Sequence, residues 1–185
     1  RRPSKELHLK VRAMSPTYGL VADTLSISWN DLLKGKHLLP ISGGRHSAAH
    51  FLFYILLTHA GLTVKNEVKL VDEAHPQQKI FLDLYVEEAD LYYEMDGGPH
   101  FRPMYGKAQK NQAQRFSEQQ RRDALKTTLL GDKLRRISTF DVIKQKELAG
   151  KVLIDKLVAE RDRLLLELGR PVIPFDPKTL SGMQD

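Results

Sequence analysis

With 185 residues, 41% of them hydrophobic, and a formal net charge of +6, the chain fits one domain with peripheral additions around a genuine core. The absence of cysteine excludes disulfides and thiolate-zinc cages and makes a reducing, intracellular compartment the default. The basic excess favours a polyanionic partner such as nucleic acid, while the longest apolar run, Ala48 to Leu57, is about half the roughly 20 residues that a bilayer crossing needs. No membrane span is expected.

The chain opens Arg1-Arg2-Pro3 rather than with methionine, so a trimmed start is expected. Residues 1–45 carry Pro3, Pro16, Pro40 and Ser42-Gly43-Gly44 among short apolar runs, and read as an irregular basic arm. From Ser47 to Ala60 the pattern has helical length and stops at Gly61, the residue best suited to a left-handed helix end. That helix is expected to be buried on most sides. His46 and His50 within this region have the spacing of helical metal ligands but lack the glutamate of a zinc hydrolase, and are read as structural.

Leu62 to Val71 alternates as a strand, and a polar link leads to a second strand over Lys79 to Val86. Glu87 to Asp90 reads as a turn into a third strand, Leu91 to Asp96. If residue 86 pairs with residue 91, antiparallel register places Asp83 opposite Glu94. Ile80, Leu82, Leu84, Val86, Leu91, Tyr93 and Met95 then share the core face, and Asp83, Glu94 and Asp96 share the other, because side chains alternate along a strand. Two carboxylates facing each other, with Cβ atoms roughly 5 Å apart, repel unless a proton, a base or a cation lies between them.

Arg102 to Ser117 is polar and reads as an exposed loop. Arg102, Lys107, Lys110 and Arg115, interleaved with Phe101, Tyr105 and Phe116, have a composition that can track phosphates and stack on unpaired bases. Arg121 and Arg122 extend the basic set into a helix predicted over Glu118 to Leu130, and a strand follows over Lys133 to Phe140. A long amphipathic helix is predicted over Asp141 to Leu168, with Leu153, Leu157, Leu164 and Leu168 in one stripe. Its charges Lys151, Lys156, Glu160, Arg161 and Arg163 read as a water-facing side. Residues 170–185 read as an extended tail.

Three segments, F-L-D-L-Y-V, Y-Y-E-M-D-G-G-P-H-F and R-R-D-A-L-K with R-R-I-S-T-F beyond it, resemble the PD-(D/E)XK nuclease superfamily. Within it they look like the very-short-patch-repair-type endonuclease domains, over about residues 47 to 145. The resemblance implies an α/β, restriction-endonuclease-like core with a mixed central sheet flanked by helices, spanning residues 46–169 between the arm and the tail. It implies a metal-dependent endonuclease acting on DNA, with Asp83, Glu94 and Asp96 holding Mg²⁺ or Mn²⁺ and the Met95 carbonyl as a further oxygen donor. His100 would move a proton. Lys126 would supply the cation that the superfamily keeps where this chain has Asp96, and Arg122 could contact the developing phosphoryl charge. The D-G-G-P-H-F segment is also similar to the RAP domain, an RNA-binding module. That likeness implies the alternative of a catalytically inactive protein bound to RNA or to a mitochondrial ribosome.

Overall fold

A computed structural model describes residues 48–97, 111–139, 141–142, 145 and 148–176. The arm at 1–45, His46, His100, Phe101, Arg102, Tyr105, Lys107, Lys110 and the end of the tail lie outside the described residues. Helix α1 (Ala48–His59) is an unbroken apolar run with no glycine or proline. It ends as the sequence predicts, with Gly61 at φ 83 and Leu62 N–H donating to the Leu57 carbonyl at 3.1 Å. Phe51, Leu52, Phe53, Leu56 and Leu57 are all buried, so the helix is enclosed on most of its circumference.

Strands β1 (Val64–Leu70) and β2 (Ile80–Val86) pair antiparallel. A tight turn, closed by Asp90 N–H donating to the Glu87 carbonyl at 3.2 Å, leads into β3 (Leu91–Asp96). Asp90 takes φ 48 there, a left-handed geometry that a short polar side chain tolerates. After α2 (Gln112–Leu130) and a short 3₁₀ turn, β4 (Leu134–Ser138) returns parallel to β3. The result is a four-stranded mixed sheet in the order β1-β2-β3-β4. The chain is therefore α/β, and α3 (Ala149–Glu167) completes one layer beside α1.

Two helices depart from expectation. Helix α2 begins at Gln112 instead of Glu118, because Q-A-Q-R-F-S is polar but consists mostly of good helix formers and contains no breaker. Helix α3 begins at Ala149 instead of Asp141. A turn places Val142 N–H on the Thr139 carbonyl at 3.3 Å and buries the Val142 side chain in the core.

The core lies between the apolar face of the sheet and the paired helices α1 and α3, joining Leu84, Val86, Tyr93, Met95 and Ile137 to Phe51, Phe53, Leu153, Leu157 and Leu164. This is the alternation that the sequence predicts for β2 and β3. The charged side of α3 is not simply water-facing, however. Arg161 is buried at 4% exposure, donates to Asp162 and holds the Ile173 carbonyl of the tail. Glu160 accepts the buried Tyr93 hydroxyl at 2.9 Å. Helix α2 covers the opposite face of the sheet, and its single buried residue is Lys126. No described helix is long and apolar enough to cross a membrane.

Candidate active site

The pairing of Val86 with Leu91, Tyr85 with Tyr92 and Leu84 with Tyr93 brings Asp83 level with Glu94, as the hairpin arithmetic predicts. At that row the β2–β3 ladder stops and side chains take over its hydrogen bonds. Asp83 N–H donates to Glu94 Oε1 at 3.0 Å, and Met95 N–H donates to Asp83 Oδ2 at 2.7 Å. Beyond this row β3 continues only along β4, so the two strands part where the acids sit. A strand residue directs its N–H and C=O to the same edge. The Met95 carbonyl therefore faces the opening on the β2 side.

The other flank of Asp83 is also interrupted. Asn66 pairs with Leu84 and Val68 with Leu82, while Glu67 between them is absent from the register. Glu67 takes φ 50, a conformation that costs a non-glycine residue roughly 1–2 kcal/mol. The register places Glu67 in the same cross-strand row as Asp83 and Glu94. Sequence reasoning missed this residue. Its only signal is that it falls between Lys65 and Lys69 on the polar side of β1, and using that signal requires the β1–β2 register.

Glu94 is buried at 3% exposure, and its Oε2 accepts from Lys126 Nζ at 3.0 Å. Burial first and the Asp83 charge second push the Glu94 carboxyl up to about 7, against the opposing pull of Lys126. Glu94 can therefore hold or release a proton near neutral pH. Lys126 is buried at 8% exposure. The structure joins it to the strand acids although 32 positions separate it from Glu94.

Asp96 is buried and receives Arg136 Nη1 on both oxygens, at 3.3 and 3.2 Å. The same guanidinium donates through Nη2 to the Asp123 carbonyl at 2.8 Å and lies 3.7 Å from Asp123 Oδ1. The parallel register sets Arg136 beside Glu94 and Ser138 beside Asp96, so an arginine on that face reaches the acid one row along. Among the described residues no three His, Asp or Glu side chains form a group that could hold a metal ion. Through Arg136, Asp96 ties β3, β4 and α2 together.

Of the expected nucleic-acid contacts, Arg115, Arg121 and Arg122 are exposed on α2. His50 is buried and hydrogen-bonded to Asn66 at 2.9 Å. The link after β1 holds a second histidine that sequence reasoning passed over. His75 Nδ1 lies 2.9 Å from Asp72 Oδ2, a pairing signalled only by the D-E-A-H spacing. No protein-family model, no curated protein and no solved structure matches the chain.

Proposed function

We propose that the chain is a divalent-metal-dependent endonuclease with a restriction-endonuclease-like core, acting on DNA through Asp83, Glu94 and Lys126. The observation that carries this reading is the meeting of Asp83 and Glu94 at an opened ladder, with one lysine on the more buried acid. Two carboxylates and one ammonium leave an excess negative charge, and burial first and the Asp83 charge second raise the Glu94 carboxyl despite Lys126. Among the described residues Asp83 Oδ1 accepts no hydrogen bond, and the Met95 carbonyl faces the same opening. These oxygen donors suit Mg²⁺ or Mn²⁺. Such an ion would lower the pKa of a bound water and offset charge on the phosphoryl group.

The chain's own side chains have distinct parts. Asp83 and Glu94 would hold the ion, and each also anchors the other strand's backbone, which fixes their orientation. Lys126 stands in for the superfamily's strand lysine and brings a positive charge to the phosphoryl oxygens. Asp96, the third expected oxygen donor, is paired with Arg136, and its carboxylate keeps lone pairs for an ion. His100 is the proposed proton carrier.

The test is cleavage of supercoiled plasmid by the whole chain with Mg²⁺ or Mn²⁺. Asp83→Ala is expected to slow it by on the order of 10³-fold, or about 4 kcal/mol of barrier. Failure of the intact chain to cut plasmid with either ion overturns the reading. The alternative of a non-catalytic RNA-binding protein is favoured by one feature, that Glu94 and Asp96 already have basic partners. Binding to RNA without cleavage of RNA or DNA would select it.

A further inference from the structure

Four described arginines are neutralised within the fold. Arg135 meets Glu160 at 3.3 Å, Arg136 meets Asp96 at 3.2 Å, Arg161 meets Asp162 at 2.9 Å and Arg163 meets Glu167 at 3.1 Å. Arg121 and Arg122 differ. They are adjacent and exposed on α2, and among the described residues neither has a carboxylate partner. Arg122 Nε donates only to the Glu118 carbonyl of its own helix, at 3.4 Å. Exposed guanidiniums without a counter-charge favour an anion.

A third donor faces them. Asp72 is buried, and its oxygens accept from Ala74 N–H at 3.1 Å and His75 Nδ1 at 2.9 Å. The His75 hydrogen bond holds the Asp72 carboxyl below its usual range, so the carboxylate only accepts and His75 Nδ1 must donate. The ring is thereby oriented, with Nε2 left on its outer side. His75, Gln78, Arg121, Arg122 and Leu125 line one cavity of about 220 Å³. Residues of two elements, the link after β1 and α2, thus line one space, two arginines and a histidine among them.

We infer that this cavity is a phosphate pocket in which Arg121, Arg122, Gln78 and His75 hold a backbone phosphate of a nucleic acid. On the endonuclease reading it has a further role. Arg122 and Lys126 are one turn apart on α2, with Cβ atoms roughly 6 Å apart, so the held phosphate flanks the one presented to Asp83 and Glu94 and sets the register of the strand in the site. The link after β1 then takes part in recognition and is not a passive connection.

Anisotropy of a fluorescein-labelled single-stranded oligodeoxynucleotide, measured with the whole chain in EDTA over a range of salt, tests the pocket independently of hydrolysis. The double variant Arg121→Gln/Arg122→Gln is expected to weaken binding about 10-fold or more and to make the log–log salt slope shallower by about 1–2. Arg121→Lys/Arg122→Lys is expected to restore much of the slope but not the affinity, because lysine keeps the charge and loses the fork. In the wild type, inorganic phosphate shifts the His75 ring resonances, and in the glutamine double variant it does not. Asp72→Asn is expected to broaden or double those resonances as the ring loses its fixed orientation.

Unchanged affinity and salt slope in the glutamine variant overturn the inference. So does a polyglutamate peptide that displaces the oligonucleotide as well as unlabelled oligonucleotide does. A chain that binds through these residues yet cuts nothing supports the pocket and removes only the hydrolytic reading.

Discussion

The two faces of the sheet are held by different forces. The inner face buries Leu84, Tyr93, Met95 and Ile137 against α1 and α3, and each large apolar side chain removed from water contributes roughly 1.5–3 kcal/mol. The outer face carries α2, whose one buried residue is a lysine, and its contacts to the strands run through Lys126–Glu94 and Arg136–Asp123. Neighbouring arginines on β4 divide the work. Arg135 reaches Glu160 and the Tyr93 hydroxyl on the α3 side, and Arg136 reaches Asp96 and Asp123 on the α2 side. Apolar burial fixes the scaffold without direction. The polar face gains specificity from directional pairs, and it can hold unbalanced charge because the other face supplies the stability.

This comparison can be broken or sharpened by substitution. The largest effect on stability is expected from Leu157→Ala, which empties a fully buried position on α3 and should cost roughly 3 kcal/mol in urea or thermal unfolding. A loss below about 1 kcal/mol would mean that the inner face is not the main support. Arg136→Met removes the partner of buried Asp96 and is expected to cost roughly 2 kcal/mol, with weakened protection of α2 amides in hydrogen exchange. Retained protection would show that α2 is held by something other than these pairs.

The smallest effect has the opposite sign. The Glu94 carboxyl is raised from 4.5 to about 7 in the folded chain. The folded state therefore binds a proton that the unfolded state has released, and stability falls as pH rises from about 4.5 to about 7. Asp83→Asn relieves one of the two causes. It is expected to stabilise the fold by about 1 kcal/mol above pH 7, with the gain shrinking as the pH falls toward 5. A destabilised Asp83→Asn at pH 8 would show that the Asp83 charge is already compensated.

The β2–β3 hairpin was legible because its strands alternate cleanly and a short turn leaves little freedom of register. The end of α1 was legible from Gly61. The start of α2 was not, since polarity alone does not distinguish a helix lying over a charged surface from a loop. Glu67 was hidden because the long link from Val71 to Lys79 does not fix how β1 meets β2. The pairing of Asp96 with Arg136 was not legible, because 40 positions separate the two residues.

By itself the sequence determined which side chains share a face, since alternation along a strand is a property of the local backbone. It also determined that acids would gather on the side away from the core. Only the tertiary structure decided which cation meets which acid, putting Lys126 on Glu94 and Arg136 on Asp96. That assignment depends on how α2 crosses the sheet and on the parallel register of β4. Both are set by long-range packing that no local pattern encodes.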